Sequence, residues 1–236
     1  MEDRSQWRFR DPTLVLGVPK RSSGTLGCKA DVITAVGFLH INSRLKKCFH
    51  RCRTPMIREV LTGVGRLRIL TGPMFSDKTE TLIHMAKAIP EELRGCYRPV
   101  RDTRDQEGLF VSHRGTTLPC QWACNDLSDI QERNHIFLDE SQFLDKTAID
   151  RINELLRKGI SFTLSGLDLD YLGRPFGPMP DLLAFADTVL KMSAKCAQCG
   201  ELASRTYRKV QSDDLILVGA DESYEPRCIR CFTLGS

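Results

Sequence analysis

The stretch RLRILTGPMFSDKTETLI, residues 66–83, decides the fold of this 236-residue chain. Its apolar run LRIL predicts a buried strand, and the segment after the turn has the apolar spacing of a helix. Residues Gly72 to Thr79 fit the pattern G-x-x-x-x-G-K-[ST], except that Asp77 stands where the pattern has glycine. Such a loop directs successive backbone N–H groups at a helix N-terminus toward an anion. The stretch therefore predicts a phosphate-binding loop.

Side chains of this loop predict the chemistry of a nucleotide site. Lys78 would reach the β- and γ-phosphates, and the hydroxyl of Thr79 would ligate Mg²⁺. Asp77 adds a Cβ and a negative charge, and its repulsion from phosphate costs roughly a few kcal/mol unless the side chain turns away or meets Mg²⁺. The alternative is an ordinary strand, turn and helix with a solvated Lys78. Evidence from the rest of the chain is needed to choose between the two interpretations.

The composition is that of a folded globular protein. With 41% hydrophobic and 27% charged residues, the chain can bury one sizeable core and a small accessory domain. Lys and Arg outnumber Asp and Glu by 12 to 5 in residues 1–60, whereas the remainder carries 22 against 25. The larger part of the chain is therefore not a basic body, and we predict no nucleic-acid partner. Because no apolar run approaches the roughly 20 residues that span a bilayer, we also predict no membrane insertion.

Residues 1–65 are predicted to form a basic, poorly ordered N-terminal extension. The segment is rich in Arg, like a transit peptide, but Glu2, Asp3 and Asp11 are atypical of one. The chain starts without a signal-peptide pattern, and four of its ten cysteines form two C-x-x-C pairs. These features favour a reducing, cytoplasmic location and a bound metal over a disulfide-stabilised secreted protein.

From residue 67 onward, helical and strand-like patterns alternate, as they do in α/β proteins. Helices are predicted over residues 80–89 and 147–158, and a buried strand over residues 160–164. Residues 96–100 predict only a weak strand, because they are polar and contain a proline. In an open α/β sheet, ligands bind beyond the carboxyl ends of the strands, so polar residues at those positions are candidates for a site.

The apolar segment HIFL, residues 135–138, ends at two adjacent carboxylates, Asp139 and Glu140. This pattern is typical of a Walker B strand, in which Asp139 would hold Mg²⁺ directly or through water. Glu140 could then accept a proton from an attacking hydroxyl group. A surface turn after a core strand is the alternative, but the pairing with the phosphate-binding loop favours the catalytic interpretation.

The segment LDLDYLGRPFGPM, residues 167–179, is rich in Gly and Pro and predicts a loop. Its aromatic side chains, Tyr171 and Phe176, could either cover a flat ring or anchor the loop to the core.

Near the C-terminus, two C-x-x-C pairs are separated by 28 residues: Cys196 with Cys199, and Cys228 with Cys231. Four thiolates in two such turns predict a tetrahedral Zn²⁺ site. Because all four positions are sulfur, this metal would be structural and would hold together a segment that is too thin to bury its own core. Disulfides are the alternative.

Together these residues resemble the type II thymidine kinases. The similarity covers about residues 66–232 and rests on motifs that occur in the family's order: GPMFSDKT at 72–79, DTR at 102–104, SHRG at 112–115, LDESQF at 138–143, SGLDLDYLGRPFG at 165–177, AKCAQCGELASRTYR at 194–208 and GADESYEPRCIRC at 219–231.

This resemblance implies transfer of the γ-phosphoryl group of ATP to the 5′-hydroxyl group of thymidine, with Mg²⁺. It implies a P-loop kinase domain at residues 66–192 with a RecA-like parallel sheet and helices on both faces. A zinc-binding lobe with a nucleoside-covering loop would follow at residues 193–236, and the family usually assembles as a homotetramer. The expected small-molecule partners are thymidine and ATP.

The resemblance also implies roles for individual residues. The expected catalytic residues are Glu140 as the general base, Lys78, Asp102 and Arg104. The nucleotide-binding residues would be Gly72, Pro73, Met74, Phe75, Ser76, Asp77, Lys78, Thr79, Asp139, Glu140, Ser141 and Gln142. The substrate-binding residues would be Met74, Phe143, Tyr171, Phe176, Thr206, Arg208 and Tyr224. The metal ligands would be the four cysteines for zinc, with Thr79 and Asp139 for magnesium.

Two departures from the family pattern define the alternatives. The family has glycine at the position of Asp77, and it has an aromatic residue at the position of Asp105. A nucleotide-binding relative with weak or lost kinase activity is therefore the first alternative. A zinc-ribbon module that binds nucleic acid is the second, although the region between the C-x-x-C pairs is not strongly basic. The retained Lys78, Asp139 and Glu140 favour an active enzyme.

Overall fold

A parallel β-sheet forms the centre of the structure. The computed structural model describes residues 64–100, 102, 108–210 and 223–232. The strands in chain order are β1 Leu67–Thr71, β2 Arg94–Pro99, β3 Leu109–Val111, β4 Thr117–Pro119, β5 Gln121–Ala123, β6 His135–Leu138, β7 Ser161–Gly166, β8 Thr188–Lys191, β9 Ala194–Lys195, β10 Leu202–Ala203, β11 Arg205–Arg208 and β12 Tyr224–Arg227. The helices are α1 Lys78–Lys87, α2 Ala148–Arg157 and α3 Met179–Phe185, with short 3₁₀ turns at Glu91–Leu93 and Ser141–Phe143.

The central sheet has six strands in the order β5-β2-β6-β7-β1-β8, and each neighbouring pair is parallel. Strands β1, β6 and β7 are almost entirely buried, so helices cover both faces of the sheet there. Ile69 of β1 belongs to a buried cluster that includes Leu155 of α2 and Leu182 of α3. The next residue, Leu70, points to the opposite face and belongs to a second cluster with Ile83 of α1. The predicted α/β fold, a parallel sheet with helices on both faces, is confirmed.

The weak strand predicted at residues 96–100 is a full member of this sheet. Strand β2 pairs with β6 on one side and with β5 on the other. Its proline, Pro99, is the last residue of the strand, where a missing N–H group disturbs the ladder least. The polar side chain of Arg98 is buried because a carboxylate, Asp102, meets it there.

Two further features lie at the margins of the sheet. Strands β3 and β4 form a separate antiparallel hairpin, and Phe110 of β3 packs in the same buried cluster as Ile83 of α1. Strand β8 adds a sixth strand beside β1, although its side chains are exposed and the sequence pattern did not single it out.

The C-terminal part forms two small antiparallel ladders, β9 with β10 and β11 with β12. Its buried cluster consists of small residues and cysteines: Ala194, Cys196, Ala203 and Cys228. This core is thin, as the sequence predicted. The boundaries proposed for the three regions of the chain stay predictions, and residues 1–63 of the N-terminal extension lie outside the described residues. Among the helices of the described part, none is long and apolar enough to cross a membrane.

His135, the first residue of β6, is fully buried in the sheet. Its ring stacks on Phe137 with centroids 4.4 Å apart, and its Nε2 lies 2.9 Å from Thr163 Oγ1. Burial, with a smaller contribution from the positive charge of Arg68, lowers the pKa of His135 to about 3. The folded chain therefore holds this imidazole neutral, whereas the unfolded chain protonates it below about pH 6.5.

This difference predicts an acid-sensitive fold. Between pH 6.5 and pH 3 the unfolded state binds the extra proton, so stability falls as the pH falls. From the pKa of about 3, we expect the free energy of unfolding to be about 2 kcal/mol lower at pH 5 than at pH 7. Urea unfolding at the two pH values measures this difference. It should shrink in His135→Leu and persist in His84→Gln, a control at an exposed histidine; an equal pH dependence in His135→Leu would contradict the assignment.

Candidate active site

The loop from Gly72 to Asp77 connects β1 to α1 at the carboxyl end of β1. Gly72 has φ = 139°, and a Cβ atom there would lie 2.2 Å from the carbonyl oxygen of Met192. Only glycine fits such a close approach. The hydroxyl group of Ser76 donates a hydrogen bond to the carbonyl oxygen of Pro73 at 2.8 Å. The loop is thus closed on itself and leads directly into the N-terminus of α1, where free N–H groups favour an anion.

Asp77 occupies the position at which the loop pattern has glycine. Its backbone is left-handed, with φ = 58° and ψ = 25°. This conformation costs a residue with a side chain roughly 1–2 kcal/mol, and aspartate tolerates it better than most. The carboxylate meets Arg114, with Oδ2 2.6 Å from Nη2 and Oδ1 3.2 Å from Nε. The negative charge of Asp77 is therefore paired with a guanidinium group.

Lys78, the first residue of α1, lies over the loop. Its Nζ donates hydrogen bonds to the carbonyl oxygen of Pro73 at 2.6 Å and to Ser76 Oγ at 3.4 Å. Together with Thr79, His113 and Glu140, it lines a cleft beside the loop. The ammonium group is therefore placed at the mouth of the predicted phosphate-binding loop.

Thr79 and Asp139 meet at the junction of α1 and β6. The hydroxyl group of Thr79 donates a 2.8 Å hydrogen bond to Asp139 Oδ2, and Asp139 Oδ1 accepts the N–H group of Glu140 at 3.0 Å. Burial, and next the negative charge of Glu140, raises the pKa of Asp139 to about 6. A hydroxyl and a carboxylate oxygen are the ligands that Mg²⁺ prefers, and a bound cation would stabilise this buried carboxylate. The residues therefore fit the predicted magnesium site.

Glu140 is held by the side chain of Gln142. The backbone of Glu140 is left-handed, with φ = 55° and ψ = 40°. Gln142 Nε2 donates to Glu140 Oε2 at 2.5 Å, while its Oε1 accepts the N–H group of Leu167 at 3.0 Å. Through these two hydrogen bonds, the buried amide of Gln142 connects the carboxylate of Glu140 to the loop after β7. The hydroxyl group of Ser141 reaches the carbonyl oxygen of Leu138 at 3.4 Å. Direct nucleotide contacts of Ser141 and Gln142 stay predictions.

A buried ion pair stands next to these carboxylates. Arg98 of β2 donates from Nη2 and Nε to Asp102 Oδ2 at 2.5 and 3.0 Å. Burial lowers the pKa of Arg98, but the nearby carboxylates outweigh it and the net shift is upward, with Asp102 contributing most. Sequence reasoning named Asp102 but missed Arg98, whose only signal was a charged residue inside a strand. The predicted Arg104 lies outside the described residues.

Most of the side chains predicted to bind the nucleoside contact one another in two groups. Phe143 and Phe176 pack edge to face with ring centroids 5.8 Å apart. The guanidinium carbon of Arg208 lies 3.6 Å from the ring centroid of Tyr171, and Arg208 Nη2 donates to Tyr224 Oη at 3.2 Å. Each aromatic side chain predicted for the nucleoside site lies in one of these two groups, and their shared binding of a nucleoside stays a prediction.

One hydrogen bond joins the C-terminal ladders to the phosphate-binding loop. Thr206 Oγ1, on β11, accepts the N–H group of Met74 at 3.0 Å. Thr206 is buried, and the contact itself is partly buried. Met74 and Thr206, which were predicted to bind substrate, therefore lie at the point where the two parts of the site meet.

The four cysteines of the C-x-x-C pairs converge, with their sulfur atoms all within 4.8 Å of one another. None of them forms a disulfide, and the Sγ atoms of Cys199 and Cys228 are 3.6 Å apart. Four sulfurs at about 2.3 Å from a tetrahedral zinc ion would be roughly 3.8 Å apart, so this spacing fits the ion. A hydrogen bond from a backbone N–H group of Cys228 lowers the pKa of Cys196 to about 6. The hydrogen bonds that the Cys231 thiol donates to Cys199 and Cys228 raise the pKa of Cys231 to about 12. The cluster is compatible with a zinc site.

The sequence was compared with protein families and with individual known proteins. Residues 65–232 match the family model described as thymidine kinase. Proteins named thymidine kinase from Bacteroides fragilis and Bacteroides thetaiotaomicron are each 39% identical over 173 residues, which cover 71% of this chain and 87% of the relative. The protein of that name from Porphyromonas gingivalis is 34% identical over 173 residues, covering 71% and 85%. The chain therefore belongs to the thymidine kinase family.

Proposed function

We propose that this chain transfers the γ-phosphoryl group of ATP to the 5′-hydroxyl group of thymidine, giving thymidine monophosphate and ADP. The observation that carries the proposal is the contact between Thr79 and Asp139, which brings the phosphate-binding loop and the end of β6 together at 2.8 Å. Family membership supports thymidine as the acceptor. ATP as the donor is supported by the loop, the lysine and the paired carboxylates.

The reaction forms a bond between the 5′-oxygen and the γ-phosphorus and breaks the bond from that phosphorus to the oxygen bridging to the β-phosphate. In-line transfer requires little covalent chemistry from the protein, so positioning and charge carry the catalysis. The loop N–H groups and the ammonium group of Lys78 stabilise the charge that gathers on the phosphoryl oxygens. Mg²⁺, held by Thr79 and Asp139, supplies further positive charge when it is bound.

Glu140 takes the proton of the 5′-hydroxyl group as this group attacks. The hydrogen bond from Gln142 fixes the position of the carboxylate before substrate binds. Arg98, paired with Asp102, adds positive charge close to Asp139 and Glu140.

For the nucleoside, the proposal assigns the ring-binding surface to Phe143, Phe176 and Tyr171. Arg208 lies against the ring of Tyr171 and also contacts Tyr224. Zn²⁺ in the four-cysteine cluster would hold β9 to β12 in place, and through Thr206 it would hold the loop at Met74. The homotetramer and the cytoplasmic location that the resemblance implies stay predictions.

The test offers the purified chain γ-labelled ATP with Mg²⁺ and one acceptor at a time: thymidine, deoxycytidine or deoxyguanosine. We expect label in a product with the mass of thymidine monophosphate and at least about tenfold less transfer to the other nucleosides. Transfer to deoxycytidine or deoxyguanosine without transfer to thymidine would contradict the acceptor. No transfer at all, with nucleotide and zinc still bound, would favour a relative that has lost kinase activity.

A further inference from the structure

The hairpin of β3 and β4 packs against the start of α1 and places Arg114 beside the phosphate-binding loop. At the tip of the hairpin, the ring of His113 lies over Phe75 with centroids 4.7 Å apart. The hydroxyl group of Thr116 donates to Glu80 Oε1 at 3.0 Å. The hydroxyl groups of Ser112 and Thr116 hold the pKa of Glu80 below its usual range. The hairpin tip is thus attached to the first turn of the helix at several points.

From this position Arg114 contacts Asp77 through two nitrogen atoms of its guanidinium group. The two donor atoms Nη2 and Nε face the two oxygens of the carboxylate at 2.6 and 3.2 Å. This bidentate arrangement is the strongest geometry that an arginine and a carboxylate adopt. Both side chains are partly exposed, with 66% and 43% of their surface accessible, so their attraction alone contributes little to stability.

The consequence of the pair is electrostatic. Asp77 lies directly before Lys78 and lines the same cleft. An unpaired carboxylate there would repel a polyphosphate of several negative charges, and this repulsion acts on nucleotide binding rather than on folding. It would also oppose the N-terminal end of the helix dipole that favours the anion. The guanidinium group of Arg114 contacts the carboxylate of Asp77 and so compensates its negative charge.

We propose that Arg114 is a positioning residue for the phosphate-binding loop, which neutralises Asp77 and allows this loop to bind nucleotide without the usual glycine. The inference rests on the proposed function, because it assumes that the loop binds ATP. In this proposal Arg114 acts through Asp77, the residue that its guanidinium group contacts. Asp77 and Arg114 are therefore a matched pair. Replacing Arg114 by a neutral residue leaves the charge of Asp77 unpaired and should weaken nucleotide binding. Replacing Asp77 by a neutral residue should not weaken it.

The test is a double-mutant cycle on the kinetics of ATP. Removing the guanidinium group in Arg114→Ala leaves Asp77 unpaired, and we expect the KM for ATP to rise about tenfold while kcat changes less than about twofold. Adding Asp77→Gly to Arg114→Ala removes the unpaired charge, and we expect the KM to return to within about threefold of the wild-type value. Raising the KCl concentration from about 50 to about 500 mM should reduce the difference in the KM for ATP between Arg114→Ala and wild type, because salt screens exposed charges.

Arg66→Ala is the matched control. Arg66 forms a similar exposed pair with Asp187, at 2.8 Å, at the opposite end of β1 from the loop. The control should leave the KM for ATP unchanged. An unchanged KM in Arg114→Ala, or a double variant as impaired as Arg114→Ala, would overturn the inference; the second result would mean that Arg114 acts on the nucleotide itself. Lack of transfer by the wild-type chain would instead contradict the proposed function, so the two failures are distinguishable.

Discussion

Replacing Glu140 by glutamine is expected to lower kcat for thymidine phosphorylation by about 10²–10⁴-fold, the usual contribution of a general base. Glutamine has nearly the same size but cannot take the proton of the 5′-hydroxyl group. The neighbouring Gln142 and the backbone position of Asp139 should change little, so the binding site for nucleotide should stay intact. A single-turnover assay with saturating ATP and thymidine measures the chemical step without contributions from product release.

Binding of ADP to the same variant, measured by calorimetry, separates lost chemistry from a damaged site. We expect its Kd to stay within about threefold of wild type, because Glu140 is assigned to the acceptor rather than to the loop. The matched control is Glu154→Gln, which alters an exposed carboxylate on α2 that pairs with Arg151 and Lys158. A Glu140→Gln variant with a rate within threefold of wild type would contradict the assignment of the base.

Replacing Cys228 by serine is expected to remove zinc and most of the activity together. The C-terminal ladders bury only a small cluster, so the metal is expected to provide most of their stability, as it does in zinc-dependent small domains. Without it, the contact of Thr206 with Met74 and that of Arg208 with Tyr171 should be lost. We expect the zinc content to fall from one ion per chain toward zero, and transfer to thymidine to fall at least about tenfold.

Zinc content by atomic absorption and phosphoryl transfer are measured on the same preparations. Cys124→Ser is the control, since Cys124 is an exposed cysteine outside the cluster. A Cys228→Ser variant that keeps its full zinc content would contradict the four-cysteine site. A variant that loses zinc but transfers phosphate at the wild-type rate would contradict the structural role of the metal.

The sequence predicted the parts of the site that depend on short local patterns. Gly72 follows a strand, whereas Lys78 and Thr79 open a helix, and a pattern of this kind predicts the local backbone. The same holds for Asp139 at the end of an apolar strand and for the paired cysteines, whose spacing predicts a cluster that the structure brings together. The sequence also predicted the parallel sheet, although it indicated β2 only as a weak strand.

Other features depend on contacts between distant residues and could not be predicted in this way. Arg98 is a charged residue inside a strand, and its partner Asp102 comes only after that strand has ended. Arg114 is 37 residues from Asp77, and nothing in either local pattern indicates that they meet. Strand β8 was missed because its exposed side chains carry no alternating pattern, and only its pairing with β1 defines it.

The central claim is that the loop, Thr79, Asp139 and Glu140 form a site for phosphoryl transfer to thymidine. The most direct measurement is the formation of ADP from ATP and Mg²⁺ by the wild-type chain, with and without thymidine. The account predicts that ADP forms only when thymidine is present, with one thymidine monophosphate for each ADP. Equal ADP formation without thymidine, or none with it, would contradict the account.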